Sequence, residues 1–191
     1  TVNSQAIRAA LTVGVSNRLI INGFSLESAR LESILPLAKK FDTDIVGYLL
    51  YPDSRVPDDA NQRIAIAIEL FNECQKAGIP VERLIIDPVI APVIWENGHR
   101  QNIETLDLIR QLPDVLGTPV RTIAGLSNLT TGRGRGQKEK KMRLEGAYLP
   151  MLAASGLTMV LMNVFHTETV RVARACSALL GEDIFTWEAD F

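Results

Sequence analysis

Cysteine is scarce in this 191-residue chain: Cys74 and Cys176 stand far apart, each among helix-forming residues. That excludes a disulfide framework and points to a reducing, cytoplasmic setting. Histidine is as rare, with only His99 and His166. No His, Cys and carboxylate fall at ligand spacing, so no metal site is read. No apolar run approaches the length of a membrane span, and no signal peptide is visible. An excess of charge is missing too. Twenty basic against 22 acidic residues leave a net charge of −2, which asks for neither nucleic acid nor an anionic membrane as partner. The glycine-rich stretch 132–136 lacks the spacing of a phosphate-binding loop, and there is no dinucleotide fingerprint.

What the sequence does have is apolar runs of strand length alternating with helical stretches. The runs are 18–23, 44–50, 83–88, 120–127 and 157–163. They are short and continuously apolar, as parallel strands buried on both faces should be. Helices are expected at 4–12, 25–40, 58–77, 104–111, 144–155 and 168–180. On the third of these, Ile64, Ala67, Ile68 and Phe71 recur at helical spacing. His99 reads as a loop residue, and His166 follows the last strand. The regular βα alternation means a single α/β domain over 1–191, either a doubly wound sheet or a (β/α)₈ TIM barrel.

Polar residues end these runs. Asn22, Asp87, Ser127 with Asn128, and Asn163 each stand at the C-terminal end of a strand. Asn and Asp after strands also serve as turn formers and helix caps. Recurrence over four strands points instead to a barrel mouth, where such ends converge and ligands bind. A carboxylate flanked by amides suits a neutral hydrogen-bonding heterocycle. Asp can accept two N–H bonds from an amino-amidine edge, as a pterin presents, and Asn both donates and accepts.

Two segments then carry a family resemblance. Leu84-Ile-Ile-Asp-Pro-Val-Ile90 and Thr122-Ile-Ala-Gly-Leu-Ser-Asn128 resemble strand motifs of the methyltetrahydrofolate:corrinoid/iron–sulfur protein methyltransferases. The same motifs occur in the folate domain of cobalamin-dependent methionine synthase, and dihydropteroate synthase is a wider relative. Ile20-Ile-Asn22, Val56-Pro-Asp58 with Arg63 after it, and Tyr148-Leu-Pro-Met-Leu-Ala-Ala-Ser-Gly156 also match in order. The resemblance implies a pterin-binding, dihydropteroate synthase-like barrel with only strands four to eight present. It implies pterin contacts from Asp87 to the amino-pyrimidine edge and from Asn128 to N5. Asn3, Asn22, Gly125, Ser127 and Asn163 line the site by the same logic. The family's first three strands, with two carboxylates, have no counterpart. A glycine-rich basic loop at 130–141 replaces a shorter one, and Glu145 stands where the family usually has Asn.

The implied activity is transfer of the N5 methyl group of a methyltetrahydropterin to or from the cobalt of a corrinoid, with Asn128 as the catalytic residue. No Asp-x-His-x-x-Gly corrinoid motif occurs, so the corrinoid is expected on a partner protein. Arg133, Arg135, Lys141 and Arg143 are candidate contacts to the folate tail or to that partner. The alternatives are a dihydropteroate synthase-like condensing enzyme and a non-catalytic barrel subunit that docks a corrinoid domain. Five strands leave two apolar edges where a closed barrel needs eight strands. Three upstream βα units, or an oligomeric contact such as a homodimer's, are expected to cover them.

Overall fold

The computed structural model describes residues 4–13, 19–132 and 136–181. It follows the alternation read from the sequence. The strands are β1 (Ile20–Phe24), β2 (Asp44–Tyr48), β3 (Leu84–Asp87), β4 (Arg121–Gly125) and β5 (Met159–Leu161). The helices are α1 (Ser4–Val13), α2 (Ser28–Lys40), α3 (Ala60–Lys76), α4 (Gly98–Leu116), α5 (Lys138–Ala154) and α6 (Thr167–Leu180). All neighbouring strands pair in parallel, in the order β1-β2-β3-β4-β5. A doubly wound sheet reverses its order at a switch point, whereas a barrel adds each strand beside the last. The sequential order therefore decides the open alternative: the fold is α/β, a curled five-stranded parallel half-barrel, consistent with a partial TIM barrel. Among the described residues, β1 and β5 each pair on one side only.

Two-residue alternation along the strands divides their side chains between the two faces. Ile45, Leu84 and Ile86 join Ile34, Leu37, Ile66, Leu70 and Leu108 in the core beneath the helices. Ala124 packs in a second outer cluster with Leu106, Ile109, Leu149 and Leu152. On the inner face Val46, Ile85 and Ile123 form a separate apolar layer, extended by Met159. Below that layer the buried carboxylate of Asp44 takes Arg121 Nη1 at 2.8 Å and Arg83 Nη1 at 3.5 Å, tying the bottoms of three strands together. Above it comes a polar layer.

Three differences from the sequence reading have physical causes. First, α4 begins at Gly98 rather than at 104, which places His99 in its first turn. Its early inward positions are the polar Gln101, Asn102 and Thr105, all buried, so the helix shows no apolar stripe there. Second, α5 begins at Lys138. Lys141 and Arg143 thus stand on a helix rather than in the glycine-rich loop, and Arg143 pairs with Glu139 one turn back. Third, the inward face of α3 is Arg63, Ile66, Ala67, Leu70 and Cys74, while Ile68 is 40% exposed. Asp59 caps this helix by accepting from the Gln62 N–H at 2.9 Å.

Candidate functional site

The polar layer is the next inward step along each strand after Val46, Ile85 and Ile123: Tyr48, Asp87 and Gly125. Register puts Tyr48 opposite Asp87 and Gly125 opposite Leu161. Asn22 joins from β1, and Ser127 and Asn128 from the short 3₁₀ turn Leu126–Thr130 that follows β4. Together with Leu161 and Met162 these residues line one cleft of about 370 Å³ at the C-terminal ends of the strands. Five residues expected from the sequence, Asn22, Asp87, Gly125, Ser127 and Asn128, are brought together here.

Asp87 is the group at its centre. The residue is only 6% exposed, and burial pushes its carboxyl pKa up from 3.8 to about 6. One interaction opposes the shift: the Val89 N–H donates to Asp87 Oδ1 at 2.8 Å. The donated N–H lies in the Pro88–Val89 peptide plane, and immediately after it Val89 takes φ +61°. A β-branched residue in the left-handed region is strained, so its surroundings must hold it there. Two side chains do so. Asn102 on α4 accepts from the Ala91 N–H at 3.1 Å and donates to the Ala91 carbonyl at 2.9 Å. Arg63 on α3 donates to the Pro88 carbonyl at 3.2 Å.

Tyr48 is the residue that sequence reading missed. Its hydroxyl donates to Asn22 Oδ1 at 2.8 Å. Burial pushes the phenol above its ordinary value, and the neighbouring Asp87 charge adds to the effect. The phenol therefore stays a donor at neutral pH. With Oδ1 engaged, Asn22 has its Nδ2 hydrogens to offer a ligand. Gly23 makes the arrangement possible, because a Cβ there would lie 2.6 Å from the Val46 carbonyl and 3.0 Å from the Tyr48 ring. The one available signal was the strand alternation: Tyr48 follows Val46 on the inner face, as Asp87 follows Ile85.

Gly125 has a comparable role beside Asn128. A methyl group at this position would sit 3.3 Å from Asn128 Nδ2, so its absence leaves the amide room over the end of β4. Asn163 is placed differently from the other strand-end amides. It is exposed, its Oδ1 accepts from the Phe165 N–H at 3.0 Å, and its Nδ2 lies 3.1 Å from His166 Nε2. It builds a turn ahead of α6 and is not among the residues lining the cleft. Asn3, Arg133 and Arg135 lie outside the described residues. Lys141 and Arg143, on the first turns of α5, do not line the cleft either. Glu145, buried on the same helix, accepts from Thr130 Oγ1 at 2.5 Å and so fastens the turn that carries Asn128.

Among the described residues, no group of three or more His, Cys, Asp or Glu side chains is gathered to hold a metal ion, and no helix is long and apolar enough to cross a membrane. Cys74 and Cys176 are free and buried, and burial pushes the Cys74 thiol up to about 12. The site is therefore one buried carboxyl whose charge state changes near pH 6, two amides and a phenol, at the mouth of a parallel half-barrel. Such a set can match the donors and acceptors of a flat heterocycle, and a buried carboxylate suits an edge rich in N–H groups. In comparison with known proteins, a family model described as pterin binding enzyme matches residues 1–163.

Proposed function

The chain belongs to the pterin binding enzyme family, and from that premise we propose that it binds a methyltetrahydrofolate-type pterin and moves the N5 methyl group to or from the cobalt of a corrinoid protein. The single observation that carries the reading is the placement of Asp87, buried and flanked by Asn22 and Asn128 in one cleft. In this reading Asp87 accepts from the 2-amino group and the adjacent ring N–H. A charged acceptor makes those bonds stronger than neutral ones. Asn22, its carbonyl engaged by Tyr48, donates to an acceptor of the ring.

Methyl departure from N5 is difficult because the leaving group would be an amine anion. A proton on N5 removes that obstacle. The cobalt(I) corrinoid of the partner protein supplies the nucleophile. The electron pair of the broken N5–methyl bond returns to N5, which keeps the proton as N–H. Asn128 is the residue assigned to that atom. An amide accepts from the protonated N5 through Oδ1, a bond that the unprotonated tertiary amine of the bound substrate cannot make.

β4, Arg121-Thr-Ile-Ala-Gly125, carries no Lys, which favours methyl transfer over a dihydropteroate synthase-like condensation. Single-turnover assay of the full-length protein with methyltetrahydrofolate and cob(I)alamin tests the proposal. Methyl transfer that depends on Asn128 supports it. Binding of methyltetrahydrofolate without transfer to either cob(I)alamin or the corrinoid protein would refute the assigned chemistry. Failure to bind the pterin at all would leave a docking subunit as the better account.

A further inference from the structure

The bulkiest fully buried side chain among the described residues is a cation, Arg63. Its hydrogen-bond acceptors there are all neutral. Nε reaches the Pro57 carbonyl at 3.4 Å, Nη1 the Pro88 carbonyl at 3.2 Å and Thr105 Oγ1 at 2.7 Å, and Nη2 reaches Gln101 Oε1 at 3.2 Å. Burial draws the guanidinium below its ordinary value, opposed first by the charge of Glu104. Desolvating an ion costs several kcal/mol, and an apolar side chain of similar volume commonly serves stability as well or better. Core stability is thus a poor reason for an arginine here.

The bonds themselves suggest another reason. Pro57 precedes α3 in the loop after β2, and Pro88 begins the loop after β3. Gln101 and Thr105 are one turn apart on α4. A planar fork of five N–H donors spans these positions at once, which neither Lys nor an apolar residue can do. Pro88 stands between Asp87 and Val89, and Val89 holds φ +61° while its N–H orients the carboxylate.

We propose that Arg63 is a positioning residue for the cleft: by clamping the Pro88 carbonyl it holds the 87–89 reversal closed and so aims the Asp87 carboxyl at the ligand. The orienting role does not depend on which ligand binds. Its effect on pterin affinity rests on the function proposed above.

The test compares the full-length protein with Arg63→Met, Arg63→Lys and Thr105→Val, the last removing the shortest bond to the atom that also holds Pro88. Two readouts are taken below each variant's thermal midpoint. The first is the titration of Asp87, followed by the ¹³C shift of its labelled carboxyl group and assigned with Asp87→Asn. Tyr48 faces the same carboxyl and is left unchanged in every variant. The second is methyltetrahydrofolate affinity. In Arg63→Met the Val89 N–H bond should be lost, so the Asp87 midpoint should rise, and affinity should fall about tenfold or more. Arg63→Lys should recover only part of each, and Thr105→Val should move both in the same direction by less. A merely structural arginine would lower the thermal midpoint and leave both readouts of the folded protein unchanged. An unchanged Asp87 titration with affinity within about twofold in folded Arg63→Met would overturn the proposal. If that variant does not fold, the same null result in Thr105→Val and Arg63→Lys overturns it. A wild-type protein that binds no methyltetrahydrofolate while the Asp87 midpoint still shifts in the variants would refute the ligand and leave the positioning role standing.

Discussion

Replacing Asp87 by Asn should stabilise the ligand-free protein at neutral pH while it destroys the cleft's recognition. The substitution keeps the size of the side chain and an oxygen that can accept from the Val89 N–H, and it removes only the charge. Burial raises the folded-state pKa from 3.8 to about 6. The unfolded carboxyl titrates near 3.9, so between about 4 and about 6 the native protein keeps a proton that the unfolded chain gives up. Stability from this group is fully present below about pH 4 and is lost as pH rises through about 6. Two pH units at about 1.4 kcal/mol each make the loss about 3 kcal/mol. Asp87→Asn carries no such loss. Denaturant unfolding at several pH values should therefore show the variant about 3 kcal/mol more stable relative to wild type at pH 7 than at pH 4. Its methyltetrahydrofolate affinity should fall by about 1.5–3 kcal/mol, because the charged acceptor is gone. Parallel pH–stability curves for the two proteins would refute the reasoning, since they would mean that the Asp87 carboxyl is not held above its ordinary range.

Asn128→Ala should slow single-turnover methyl transfer by about 100-fold or more while weakening pterin binding by much less, because its bond to N5 exists only in the protonated form that reacts. Equal losses would make it a simple binding residue. Gly125→Ala, whose added methyl meets Asn128 Nδ2 at 3.3 Å, should follow the Asn128 variant in kind but be milder, with thermal stability near wild type. Asp44→Ala, at the opposite end of the strands, should take a shared carboxylate from Arg121 and Arg83, which keep the Glu82 carbonyl and Asp42 respectively, and cost about 1–3 kcal/mol in denaturant unfolding, yet leave pterin affinity of the folded protein unchanged.

The strands were legible because each is a short apolar run buried on both faces. Leu84, Ile85 and Ile86 face opposite layers in turn and are all fully buried. Asp87 and Asn22 were legible for the complementary reason: they interrupt such runs where the alternation would otherwise continue inward, and Asn128 was legible as the polar residue just past one. Tyr48 was hidden because an aromatic side chain ending an apolar run is indistinguishable from core. Its hydroxyl matters only through Asn22 across the β1–β2 pair. Polar groups that support the site were the hardest to see. Gln101, Asn102 and Thr105 are buried to hold Arg63 and the Ala91 backbone, so the start of α4 lacks an apolar stripe and its helix was expected only from 104. Arg63 was legible only as part of the family resemblance, and its burial shows once Ile66, Ala67, Leu70 and Cys74 are seen to share its face. Asn163 shows the converse, a strand-end amide spent on a turn.

The most direct test of the central claim, that a pterin binds through the Asp87 carboxylate, is calorimetric titration of the full-length protein with methyltetrahydrofolate at pH 6 in two buffers of different ionisation enthalpy. Near pH 6 Asp87 should be about half protonated, and ligand N–H donors should bind only its ionised form. The account predicts saturable one-to-one binding with release of about half a proton, affinity that declines as pH falls further, and neither effect in Asp87→Asn. Absence of saturable binding, or binding of equal strength and proton balance in Asp87→Asn, would contradict it.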